Sequence, residues 1–187
     1  MKKNAIIRKL ARLLVSILAM IAAAAGSPGH GQDDVGDEHE IRAAMIFNIA
    51  KFVEWPASKA DGSGGAFVLC ELGTDAVTSS LEKLLRGQSI AGKPIALLRL
   101  NKNSAVGSCH LLYIAHYDRK GFENIAPELV KQSVLSIGSQ DWLTSAGGVV
   151  SLPMVDDNVR IQVNLGVAQR SGLKVSSKLL KIATVLH

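Results

Sequence analysis

The most constraining feature of this chain is a set of short apolar runs that do not alternate with polar residues. They are residues 66–72 (AFVLCEL), 94–100 (PIALLRL), 110–115 (HLLYIA) and 134–137 (VLSI). A strand with one wet face alternates; an unbroken apolar run fits a strand buried on both faces. Between the runs lie helical stretches. One spans 76–85, with Val77, Leu81, Leu84 and Leu85 on its apolar side, and another 127–131. Gly73-Thr74-Asp75 reads as a strand-to-helix turn with Asp75 as the cap. Strand, helix, strand with buried strands predicts a largely parallel sheet covered by helices.

The flanks of this pattern differ. Residues 149–154 and 159–165 bracket Val155-Asp156-Asp157-Asn158, a turn-like run. In the second segment Val159, Ile161, Val163 and Leu165 alternate with Arg160, Gln162 and Asn164. That alternation predicts an antiparallel hairpin at the sheet edge. Two helical pieces split by Gly172 follow, the last over 177–187 with Ser176 as N-cap. Ahead of the first strand, a helix is expected over 38–53, capped by Asp37 with Glu40 as capping-box partner. Its apolar face is read as Ile41, Ala44, Met45, Ile49 and Phe52, and Asn48 falls among them. Asn48 is therefore expected to be buried and bonded to backbone. Trp55-Pro56 ends the helix. Phe47 points away from that face, on the side of Glu40, Lys51 and Glu54. Either another element covers it or it is exposed for a partner. The whole reads as one α/β domain over 38–187: a mostly parallel sheet flanked by helices, with a C-terminal antiparallel hairpin.

Charge is concentrated at the start. The chain of 187 residues carries a net +5. Lys2, Lys3, Arg8, Lys9 and Arg12, with no acid in residues 1–25, account for all of it. The rest is balanced and has no electrostatic reason to bind nucleic acid. A cationic segment, an apolar core over 13–22 and Ala23-Ala24-Ala25 form the pattern of a cleaved secretory signal over 1–25. The apolar run is shorter than the roughly 20 residues a spanning helix needs. Residues 26–37 (GSPGHGQDDVGD) read as a flexible leader. The expected location is the periplasm.

Signatures of enzymes are missing. The sequence has no G-x-G-x-x-G, no P-loop and no G-x-S-x-G. No His pair has ligand spacing with a carboxylate or Cys, so neither metal nor cofactor is expected. His116 and Asp118, after a strand, are the only candidates for catalysis, and a solvated strand end explains them as well. The chain is therefore read as a non-enzyme. Cys70 and Cys109 are its only cysteines. In an oxidising compartment they form a pair if the two strands are neighbours, or stay as two separate buried thiols.

Several segments together carry a resemblance: EIRAAMIFNIAKFVEWP, FVLCELG, CHLLYIA, GGVVSL, VRIQVNL and SGLKVSSKLLKIA, in that order. They resemble the YfiR family of periplasmic proteins, over about residue 38 to the last. The resemblance implies an α/β domain that forms homodimers. It implies repression of an inner-membrane diguanylate cyclase through the cyclase's periplasmic sensory region. It also implies sequestration of the repressor by an outer-membrane lipoprotein. It implies that Cys70 and Cys109 form a disulfide. Family members can carry a second cysteine pair, which this sequence lacks, so a redox-sensing role is not carried over. The candidate partner surface is Phe47, Lys51 and Glu54, with Lys174, Ser176 and Lys178 as a second option. The competing class is a small-ligand sensor that uses the crevice at the C-terminal ends of the parallel strands and acts on another membrane signalling partner.

Overall fold

The computed structural model describes residues 33–60 and 65–187. The expected signal over 1–25 and residues 26–32 of the leader lie outside them. Helix α1 (Asp33–Lys51) leads into strand β1 (Val53–Glu54) and the single turn α2 (Ala57–Ala60). Then come β2 (Phe67–Leu72), α3 (Ala76–Leu84), β3 (Ser89–Ile90), β4 (Lys93–Leu100), β5 (Leu111–Ile114), α4 (Arg119–Lys131) and β6 (Leu135–Gly138). The C-terminal part holds β7 (Val150–Ser151), β8 (Met154–Val155), β9 (Asn158–Val159), β10 (Gln162–Asn164), α5 (Leu165–Arg170), β11 (Lys174–Val175), α6 (Ser177–Leu180) and β12 (Thr184–Leu186).

Eight strands form one sheet in the order β12-β10-β7-β6-β5-β2-β4-β3. The five from β4 to β7 run parallel, but β4 is not the doubly buried strand its apolar run suggests: no position in it is buried and Leu98 is 43% exposed, because it is flanked only by the short β3 on its outer side. β2, β5 and β6 are buried at every position. Taken in chain order these five strands lie 2-1-3-4-5, a doubly wound arrangement whose direction reverses between β2 and β5. One face packs on α1, α3, α5 and α6 through residues such as Ile46, Leu69, Leu81, Leu111, Val167 and Leu179. The other packs on α4 through Val68, Cys70, Leu112, Phe122 and Leu129.

Local chemistry explains most boundaries. Gly73 takes φ +85°, and a Cβ there would stand 3.0 Å from the His116 amide nitrogen, so the turn after β2 requires glycine. Asp75 then caps α3, accepting from the Thr78 amide at 2.9 Å, and Thr78 closes a capping box.

Four expectations need correction. Helix α1 starts at Asp33, so Asp37 lies inside it and is not its cap. Helix α4 starts at Arg119, not at Pro127: Asp118 caps it, and buried Phe122, Ala126 and Leu129 carry the helix through the proline. The last segment is not a helix to its end. After one turn, β-branched Thr184 and Val185 join the sheet edge as β12, parallel to β10. The expected C-terminal antiparallel hairpin is present, in divided form. β7 pairs antiparallel with β10 inside the main sheet, and β8 with β9 makes a separate ribbon.

The fourth correction concerns the face of α1. Ile41 and Phe52 are 48% and 39% exposed, and Asn48 is exposed as well. The buried side is Arg42, Ala43, Ile46, Phe47, Ile49 and Ala50, roughly 130° round from the expected face at 100° per residue. Two alanines let this side approach the sheet closely, and Phe47 fills the volume beside them. Arg42 is drawn in because its guanidinium Nε donates to the Leu152 carbonyl at 3.2 Å and pairs with Glu38.

Candidate interaction surface

Helix α1 ends in a tight turn in which the Phe52 amide donates to the Ile49 carbonyl. The chain then extends as β1, and Val53, 6% exposed, fixes it to the core. β1 pairs antiparallel with β11, with Val53 opposite Val175 and Glu54 opposite Lys174. The Ser176 amide extends the ladder, donating to the Phe52 carbonyl at 2.8 Å. The Ser176 hydroxyl caps α6, accepting from the Lys178 amide at 3.3 Å. This small sheet walls a groove of about 420 Å³ lined by Lys51, Phe52, Glu54, Lys174, Val175, Ser176 and Lys178. Three ammonium groups and one carboxylate make it locally positive, and half-exposed Phe52 supplies an apolar floor.

Of the six residues nominated from sequence, Lys51, Glu54, Lys174, Ser176 and Lys178 surround this one groove. The two separate candidate patches are one surface. Phe47 is not part of it. It is 7% exposed within the core, and the Lys51 ammonium stands 3.7 Å from its ring centroid. The ring holds the Lys51 ammonium by a cation–π contact. Phe52 and Val175 line the groove without having been nominated, and only knowledge of which way α1 faces would have found Phe52.

A second hollow of about 300 Å³ opens on the same end and shares Lys51 and Glu54. Its wall is aromatic. Trp55 meets Phe67 edge-on at 5.1 Å, and Phe67 stacks on His110 at 4.8 Å. The Trp55 indole donates to the His110 carbonyl at 3.0 Å, and His110 Nδ1 accepts from the Val68 amide. Burial, with Lys59 and Lys93 nearby, lowers the His110 pKa and keeps the ring neutral.

The crevice where doubly wound sheets usually hold ligands is filled. Between the ends of β2 and β5, the Tyr113 hydroxyl donates to Asp75 Oδ2 at 2.8 Å and lies 3.3 Å from Ser139 Oγ. Burial raises the Tyr113 pKa well beyond its usual range, so the phenol stays protonated as a donor. The Gln140 amide closes the same end by donating to the Ala115 carbonyl at 2.5 Å. His116 is exposed, and Asp118 Oδ1 accepts from the Gly121 amide at 2.7 Å as a helix cap. Asp156 and Asp157 take φ 49° and 56° in the β8–β9 turn, which is their local role. Among the described residues, no group of three or more His, Cys, Asp and Glu side chains could hold a metal.

Cys70 and Cys109 are joined by a disulfide, with Cα atoms 5.7 Å apart and both side chains inaccessible. The bond ties β2 to the entry of β5 beside the point where the His110 amide donates to the Val68 carbonyl. It lies in the core under α4, away from the groove.

Known proteins place this arrangement. A family model described as YfiR/HmsC-like matches residues 39–184. A crystal structure of a conserved domain protein from Vibrio cholerae O1 biovar El Tor is similar in fold, with a TM-score of 0.53 at 14% identity. The similarity covers 79% of this chain and 59% of that one. No helix among the described residues is long and apolar enough to cross a membrane.

Proposed function

The chain belongs to the YfiR/HmsC-like family, and from that premise we propose that it is an exported, non-enzymatic regulator that represses an inner-membrane diguanylate cyclase from the periplasm. The observation that carries this reading is the convergence of Lys51, Glu54, Lys174, Ser176 and Lys178 on one groove through the β1–β11 ladder. A groove with surplus positive charge and a phenylalanine floor suits a segment that offers both acidic and apolar side chains.

An exported domain cannot touch a cytoplasmic active site. It acts by binding one conformation of the membrane protein better than the other. A preference of about 100-fold, roughly 2.7 kcal/mol, is ample to change output. An outer-membrane lipoprotein that sequesters the regulator would lift the repression by competition.

Deleting the gene should raise cyclic di-GMP and surface attachment, and an export-competent copy should reverse both. A copy without residues 1–25 should fail to complement. A Lys174→Glu, Lys178→Glu copy should fold and be exported normally yet fail to repress. Unchanged cyclic di-GMP on deletion would refute the cyclase as target.

The aromatic hollow supports a second reading, a small-ligand sensor that acts on a membrane signalling partner. It sits at the opposite end of the sheet from the crevice expected to serve that role. A saturable, stoichiometric adduct in native mass spectrometry, lost in Trp55→Ala, would favour it.

A further inference from the structure

Strand β4 leaves most of its outer edge open. β3, the last strand of the sheet on that side, pairs only with Lys93 and Pro94. Among the described residues, no strand pairs there with residues 95–100 (IALLRL). Alternate residues of a strand turn their N–H and C=O groups to the same side, so half the main-chain groups of this stretch face outward without a ladder. Leu98, 43% exposed, lies level with Cys70 of β2, on the sheet face that α4 covers only farther in. We infer that this edge takes up, as an added strand, an extended segment of a different protein that is apolar in its middle and acidic at its ends.

Natural sheets blunt an open edge with charge or proline. Pro94 stands before this stretch, and Arg99 is the one charge within it. Arg99 does not guard the edge. Its guanidinium pairs with Glu82 on α3 and lies 3.5 Å from Glu71 on β2, so it is held over the sheet. Charge also selects the occupant. Residues 93–102 (KPIALLRLNK) carry Lys93, Arg99 and Lys102 and no acid. A second copy laid antiparallel about the middle of the stretch would set Lys93 against Lys102 at both ends, and like charges directly opposite destabilise a strand pair. A strand with carboxylates at its ends meets both lysines favourably, and an apolar residue beside Leu98 covers it. Main-chain pairing then supplies the affinity and these flanking contacts the selection. So short a strand buries far less than the roughly 1,200 Å² of a standard interface, so the complex is weak, with a dissociation constant on the order of 100 μM.

The inference does not rest on repression of a cyclase: it is read on the purified chain, and none of these residues lines the β1–β11 groove. The probe is an acetylated nonapeptide of alternating Val and Thr with two Glu at each end. Added to the isotope-labelled chain, it should move the amide resonances of residues 95–100 saturably. Replacing the Glu at both ends by Lys should weaken binding about tenfold or more. N-methylating alternate central residues of the peptide should abolish binding in one parity and spare it in the other, because only one set of its N–H groups faces the edge. Leu98→Lys, at an exposed position, should weaken binding about tenfold at unchanged melting temperature. A peptide that does not bind, that shifts the Lys51–Lys174 groove instead, or that binds alike in both N-methylated forms would overturn the inference. So would a second copy on this edge, seen as concentration-dependent shifts of the same amides without peptide.

Discussion

Removing the Cys70–Cys109 bond should destabilise the fold by about 4 kcal/mol. The bond closes a loop with a sequence separation of 39. In the chain-entropy model such a loop constrains the unfolded chain by about 13 cal/mol/K, or about 3.9 kcal/mol at 25 °C. Both cysteines are fully buried, so replacing them also leaves small voids under α4. For a domain of this size about 4 kcal/mol corresponds to a melting temperature roughly 8–16 °C lower. The comparison is Cys70→Ala, Cys109→Ala against the oxidised parent, both made in the periplasm, by urea unfolding and calorimetry. The bond belongs to the cluster on the α4 face and the groove's Val175 to the cluster on the other face, so the variant should keep its partner affinity at a temperature where it is folded. A loss below about 1 kcal/mol would refute the loop-entropy reasoning. A variant that is fully folded yet silent in signalling would refute the structural role and point to a redox switch.

Asn48→Leu should leave stability within about 0.5 kcal/mol, because the side chain is exposed, and a larger loss on urea unfolding would mean it is bonded within the fold. Trp55→Phe should cost about 1–2 kcal/mol, since it removes the indole bond to the His110 carbonyl and part of the packing on Phe67; a loss near zero would mean the aromatic cluster is not rigid. Glu71 is fully buried on β2, neither carboxylate oxygen accepts a hydrogen bond, and Arg99 is 3.5 Å away. Burial raises its pKa, Arg99 offsetting part of the effect, so its folded pKa lies above the ordinary glutamate value of 4.5. Its contribution is therefore fully present below about 4.5 and is lost as pH rises through the raised value. Glu71→Gln should flatten that slope in unfolding measured against pH, and an unchanged slope would show that Glu71 titrates normally.

The parallel core was legible because burial on both faces removes alternation, and β2, β5 and β6 show it in every residue. The Gly73–Asp75 turn was legible because φ and capping chemistry are local. The orientation of α1 was not. Both sides of that helix carry apolar residues, and the choice fell to close approach by Ala43 and Ala50 and to the buried Arg42–Leu152 bond, which connects distant segments. The same gap hid Phe52 and made Phe47 look exposed. The end of the chain was misread because Leu179, Leu180 and Ile182 keep helical spacing, while β-branched residues follow and a free sheet edge receives them. The groove residues could be nominated singly. Their meeting depends on two-residue strands, too short to carry a period.

The β1–β11 ladder has a consequence for quality control. One wall of the groove comes from the chain just before the sheet begins, the other from the segment after the sheet's parallel part is finished. Neither wall alone makes the groove, and a chain clipped within its C-terminal segment keeps only one of them. If the groove is the partner surface proposed above, folding and recognition arrive together, and damage to either wall should silence the protein instead of leaving it half active.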